Sequence, residues 1–322
     1  MKISKIGAPS FTNHHYPYSM VNYNPKDWLR FIFNFHRADT VRKLLPILIA
    51  MAGYSLAIAF LIIDFWKLGD QSDLRNISLM HSLLGFVISM LLVFRTNTAY
   101  DRWYEGRKQW GSLVNNSRNL ALKMHQLLES HHREAREFFQ VMIPNFSASL
   151  KNHLRSRFIE EDFTECSSFR LSQLNTKDHV PQQIASALFG KAHALEREGI
   201  LRPEHLLVIN PEIQSFMDIC GACERIRNTP IPFSYSSFLK KFITLYCITL
   251  PLGYVFNLHY LVVPFVVFIF YVLASLEVIA EEIEDPFGTD ANDLPTDELS
   301  VVIRNTVNQA FGQVPIGERI NG

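Results

Sequence analysis

The sequence predicts an all-α membrane protein: four transmembrane helices plus a cytosolic helical region. Three observations carry this. Charge-free apolar runs alternate with heavily charged stretches along the 322 residues. Apolar residues in the charged stretches recur with helical rather than alternating spacing. Basic residues collect on one side of every apolar run.

Residues 1–43 read as an arm and an interfacial helix. To about Pro25 the chain is rich in Asn, Tyr, His and Pro without a sustained period. Lys26 to Arg37 then mixes Trp28, Phe31, Phe33 and Phe35 with cations, which suits a helix in the headgroup layer or a packed surface helix.

Residues 44–94 hold transmembrane helices 1 and 2. Leu44 to Ile63 is uncharged, and a helix needs about 20 apolar residues to cross the hydrocarbon core. Asp64, Lys67, Asp70, Asp73 and Arg75 make a short polar loop. The second run, Leu79 to Phe94, ends at Arg95.

Residues 95–237 form the cytosolic helical region. Leu113, Leu120, Met124, Leu127 and Leu128 share one helix face. Pro144, Pro181, Pro203, Pro211, Pro230 and Pro232 are expected to divide it into several helices.

Residues 238–279 hold transmembrane helices 3 and 4. The uncharged run from Phe242 to Leu276 is broken at Asn257 to Tyr260, which predicts two antiparallel helices. Residues 280–322 are an acidic segment and polar tail, helical near Leu299 to Phe311.

Orientation follows the cations. Lys26, Arg30, Arg37, Arg42 and Lys43 precede the first run; Arg95, Arg102, Arg107 and Lys108 follow the second; Lys240 and Lys241 precede the third. Both termini and the middle region are expected on the cytosolic side of the cell's inner (plasma) membrane.

Composition excludes several functions. Thirty-one basic and 31 acidic residues cancel, so no global field points to nucleic acid. Cys166, Cys220, Cys223 and Cys247 are too few for a secreted disulfide framework. No enzyme is expected: His131-His132 lacks the Glu of a zinc-protease helix, and no Gly-rich phosphate loop occurs. Cys220-Gly-Ala-Cys223 is a single cysteine pair, which cannot make a tetrahedral zinc site without His partners from elsewhere. Redox chemistry or close helix packing are its other readings.

The apolar runs carry no Asp, Glu, Lys or Arg, the residues on which coupled transporters depend. Passive conduction fits better. Four helices do not easily enclose water, so a conducting path would lie on the axis of a ring of subunits. Phe86, Met90 and Phe94, four residues apart with Ser82 and Ser89 nearby, are the stripe best suited to line it as a dewetting constriction. The same spacing also occurs on ordinary membrane helices.

Phe94-Arg-Thr-Asn-Thr-Ala-Tyr-Asp-Arg-Trp-Tyr-Glu-Gly-Arg107 resembles the segment after the second span in the bestrophin family. Glu281-Glu-Ile-Glu-Asp-Pro-Phe-Gly-Thr-Asp-Ala-Asn-Asp-Leu-Pro295 resembles that family's acidic segment after the last span. Cys223-Glu-Arg-Ile-Arg-Asn-Thr-Pro-Ile-Pro-Phe233 adds a third match, and the bacterial members look closest. The resemblance implies a homopentamer in the lipid bilayer, conducting monovalent ions, anions or cations, along one axial pore. Its neck positions fall on Phe86, Met90 and Phe94. A second, cytosolic aperture falls near Glu204 or His205, residues that also suit a solvated turn after Pro203. A ring of Glu204 would favour cations, and a ring of protonated His205 anions.

No cofactor is required. Calcium, as in animal members, would take side-chain ligands Asp290 and Asp293 with backbone oxygens near Glu282 and Asp285. Asp290 and Asp293 equally suit a turn and a helix cap. Arg95, Asn97, Arg102, Glu105 and Arg107 read as headgroup anchors, with Glu105 pairing to Arg102 at helical spacing.

Overall fold

A computed structural model describes residues 40–67 and 77–312. The arm, the Lys26 to Arg37 helix and the loop residues Asp70, Asp73 and Arg75 lie outside them. The described chain forms eight α-helices: α1 Thr40–Phe60, α2 Ile77–Leu127, α3 Arg133–Leu154, α4 Val180–Arg197, α5 Pro203–Asn228, α6 Phe233–Leu258, α7 Val262–Glu284 and α8 Thr296–Gly312. Three stretches are long and apolar enough to cross a membrane: Thr40–Phe65, Met80–Leu127 and Phe233–Glu284.

The third stretch is folded back on itself. His259 has φ 46°, and a single 3-10 turn, His259–Leu261, joins α6 to α7. Lys240 near the start of α6 pairs with Glu281 near the end of α7 at 2.8 Å, so the two helices run antiparallel. The break falls among the polar residues that interrupt the apolar run.

α2 has 51 residues, about 76 Å at 1.5 Å per residue, and it joins two separate cores. Its first half packs on α6 and α7, with α1 lying against those two, in a core that includes Leu48, Ile62, Ile88, Leu92, Ile243 and Val266. Its second half packs on α3, α5 and α8, with α4 lying against α3 and α5, in a core that includes Trp110, Leu120, Phe139, Ile184, Phe216 and Ile303. Phe146 of α3 stacks on Phe216 of α5 at 4.8 Å. Each fully buried Leu or Phe of this lower core contributes about 1.5–3 kcal/mol.

Several expectations need correction. Arg95 ends the apolar run but not the helix: the 94/95 division falls inside α2, 237/238 inside α6 and 279/280 inside α7. These mark changes in side-chain polarity, not breaks in the backbone. Pro181 and Pro203 start helices, where a missing N–H costs nothing. Pro144 and Pro211 lie inside α3 and α5 without ending them. The helix expected near Leu299 to Phe311 is α8, which buries Ile303, Val307 and Ala310 against α2 and α3.

Charge stitches α8 into place. Lys151, almost fully buried on α3, reaches Asp162 at 2.8 Å and Asp297 at 2.9 Å. Arg155 Nη1 meets Asp297 at 2.7 Å. Burial alone would raise the Asp297 pKa, but hydrogen bonds from Arg155 and Lys151 hold it below the usual aspartate value.

Candidate functional site

α2 is two-faced along its whole length, because residues three, four and seven apart return to one side of a 3.6-residue helix. Ile88, Leu92, Arg95 and Ala99 are buried on the side that α2 turns to α6 and α7. Phe86, Met90 and Phe94 lie on the other side, 68%, 46% and 58% exposed. None of the other described residues covers them. Ser89 turns its hydroxyl back to the Gly85 carbonyl at 2.8 Å, so its donor is spent within the helix. Tyr246 of α6 approaches at Gly85, where a Cβ would sit 2.9 Å from its hydroxyl oxygen.

Below Phe94 the exposed face continues but changes chemistry, with Asn97, Asp101, Arg107, Asn115 and Arg118 beside the half-exposed rings of Tyr100 and Tyr104. The stripe is thus apolar over its upper turns and mixed, mostly polar, over its lower ones.

Arg95 fixes the rotation of this helix. It is not a headgroup anchor: it is buried, its Nη2 2.7 Å from Glu284 and its Nε 3.4 Å from Glu277 of α7. Glu105 pairs with Lys108 at 2.9 Å and Gln109 at 2.6 Å rather than with Arg102. Arg102 instead donates to three backbone carbonyls, those of Ile226 and Thr229 at the end of α5 and that of Glu284, the last at 3.0 Å. Glu284 also accepts from the Ile231 amide at 2.6 Å.

The three segments that prompted the family resemblance therefore meet at one joint beneath the stripe. Trp103 Nε1 donates to the Asn292 carbonyl at 3.0 Å. Gly106 lies under Phe287, where a Cβ would stand 3.1 Å from the ring.

The acidic segment is a tight loop closed by its own side chain. Asp293 is buried and accepts from the Asp290 amide at 2.6 Å, which is the turn role. Its carboxyl lies over Gly288, where a Cβ would be 2.6 Å from Oδ2. Burial, with Asp290 and Asp285 nearby, pushes its pKa up to about 7. Its Oδ1 has no partner among the described residues. Glu282 is committed elsewhere, to Lys43 at 2.5 Å and to Asn292 at 2.5 Å.

Glu204 and His205 open α5 just after Pro203. Glu204 is exposed. His205 sits against Arg202, whose Nη2 is 3.0 Å from its Nε2. Neither is near the stripe in sequence or shares a core with it.

Sequence reasoning missed two features. The Arg95, Glu277 and Glu284 cluster was hidden because all three flank apolar runs, where charges look like terminators. His81, buried in α2, holds Nε2 2.9 Å from Thr249 Oγ1 and packs between Tyr246 and Tyr254. A scan for Asp, Glu, Lys and Arg passes over it.

Long apolar helices above a polar helical unit, joined by one continuous helix, define an α-helical membrane protein. A family model described as Bacterial/Fungal Bestrophin protein matches residues 19–309, and the chain belongs to that family. The voltage-dependent anion channel-forming protein alr2987 of Nostoc is 36% identical over 72% of this chain and 76% of the relative. YneE of Escherichia coli K12, of the same description, is 32% identical over 91% and 94%. Two mutant structures of a bacterial bestrophin homolog from Klebsiella pneumoniae superpose with TM-scores of 0.71 and 0.72. They share 26% and 28% identity, and each match covers 85% and 84% of this chain and 100% of the other.

Proposed function

We propose that this chain is one subunit of a homopentameric ion channel in the cell's inner membrane. It crosses the bilayer four times, through α1, the upper part of α2, α6 and α7, with both termini in the cytosol. Phe86, Met90 and Phe94 form its neck. The observation that carries this reading is the apolar stripe of α2, uncovered by the other described residues yet held in fixed rotation by Arg95. The family and the names of its relatives support conduction.

Conduction is passive, since the neck offers no charge to couple to. Its barrier is lost ion hydration, which does not choose a sign. The relatives' names favour anions, whereas a ring of Glu204 carboxylates at the cytosolic aperture would favour cations. The test is purified protein in liposomes across a potassium chloride gradient. The expected result is a leak whose reversal potential gives the sign, enlarged by alanine at Phe86, Met90 and Phe94. Intact oligomers that pass neither ion would refute the reading and leave a membrane-anchored scaffold.

Calcium belongs to the same proposal as a ligand of the acidic loop. Asp293 Oδ1 is a free oxygen, Asp290 and Asp285 supply further donors, and a bound cation would relieve the cost of three neighbouring acids. Glu282 would contribute only its carbonyl.

A further inference from the structure

Far from the stripe, three helices bring unlike donors to one point. His153 of α3 and His179, the residue before α4, both turn Nε2 toward Glu224 Oε1 of α5, at 2.7 and 2.8 Å. The donor atoms of these three residues lie within 4.8 Å of one another. Cys220, one turn before Glu224 on α5, places Sγ 3.9 Å from His179 Nε2. Among the described residues this is the group of His, Cys, Asp and Glu that converges on one position.

The donor set decides the ligand. Two imidazole nitrogens, one carboxylate oxygen and one sulfur suit a borderline ion at tetrahedral geometry, whereas calcium and magnesium demand oxygen. A zinc-class ion binds nitrogen and oxygen at about 2.0–2.2 Å and sulfur at about 2.3 Å, so small side-chain shifts would close the set. His153 and His179 also line a cavity of about 440 Å³, which supplies an entry path. The lone cysteine pair of the sequence lacked histidine partners, and the fold delivers them to Cys220. Cys223 stays buried in the core.

We propose that His153, His179, Glu224 and Cys220 bind one divalent transition-metal ion of zinc's class. Binding ties α3, α4 and α5 together through a bond set that no single segment contains. Two proton movements accompany it. His179 Nδ1 now accepts from the Gln182 amide at 3.0 Å, which places the ring proton on Nε2. Coordination at Nε2 moves that proton to Nδ1 and releases the cap. The Cys220 thiol, now held protonated by burial, gives its proton to solvent as sulfur joins the metal.

The test is cobalt(II) titration of the full-length protein in detergent, first stripped with chelator. One cobalt per chain is expected, with the visible bands of a tetrahedral site, a near-ultraviolet thiolate-to-cobalt band, and displacement by zinc. His153→Ala and His179→Ala should each weaken cobalt by more than the ~10–100-fold typical of losing a ligand's hydrogen-bond support. Circular dichroism checks that they fold, and His179→Gln serves where alanine does not. Cys220→Ser should abolish the near-ultraviolet band alone. Tetrahedral bands that survive both histidine substitutions, or no cobalt bound at all, overturn the site. A near-ultraviolet band absent from the wild type, or persisting in Cys220→Ser, overturns the sulfur's part. None of these readouts depends on ion flux, so this proposal and the channel reading fail separately.

Discussion

The two halves of α2 bury the same face and differ on the other. Above Arg95 the outward side chains include Phe86, Met90 and Phe94; below it Asn97, Asp101, Arg107 and Asn115 are exposed beside Tyr100 and Tyr104. The buried face is apolar in both, since any helix must hide one stripe against its neighbours. What surrounds a helix is therefore written on its unburied side. In water an exposed Phe is a liability, but among lipids or around a narrow axis it costs nothing.

Substitutions can test that contrast. The largest effect should come from the joint between the halves. Arg95→Met leaves Glu277 and Glu284 uncompensated in a buried site and should cost about 3–5 kcal/mol, read as a lower unfolding temperature in detergent. Trp110→Ala, in the lower core, should cost a similar ~3–5 kcal/mol through its cavity. Phe94→Ala on the outward face should cost under about 1 kcal/mol yet change ion flux. Equal destabilisation by the last two would show that Phe94 is packed, and the two-faced description would fail.

Changes of pH sharpen the comparison of two carboxylates four residues apart. Asp297 has a depressed pKa, so its contribution is present above the unfolded value of about 4 and is lost as pH falls through the folded value. Asp297→Asn should flatten the acid limb of the stability curve. Asp293 is the opposite case, held protonated up to about 7. Between about pH 4 and 7 the folded state holds the proton that the unfolded chain has lost, so stability falls by up to about 1.4 kcal/mol per pH unit. Above about 7 the loss levels off. Asp293→Asn should remove this slope and outlast the wild type at pH 8, while matching it near pH 4.

Much of the architecture was legible in the sequence because apolar runs and helical periods are local signals. The turn at His259 showed as polar residues interrupting an uncharged run, and Leu113, Leu120 and Met124 gave the lower core by spacing alone. That Phe86, Met90 and Phe94 share one face followed from the same period, but spacing did not say which way that face points. Arg95 was misread because a charge beside an apolar run looks like an anchor, and its partners Glu277 and Glu284 lie about 180 residues away. Pro144 and Pro211 misled for a related reason: tertiary packing holds a helix through a missing N–H that sequence rules count as a stop. His153, His179 and Glu224 had no signal at all, for they share no motif and meet only through the packing of three helices.

The length of α2 carries one last consequence. Its 51 residues contain no proline and run from the apolar end to the polar end without a break. A rod without a hinge cannot absorb a push locally. If α5 or α8 shifts against its far end, the motion reaches Phe86 and Phe94 as a turn or slide of the whole helix, with the grip of Arg102 on three carbonyls as the pivot.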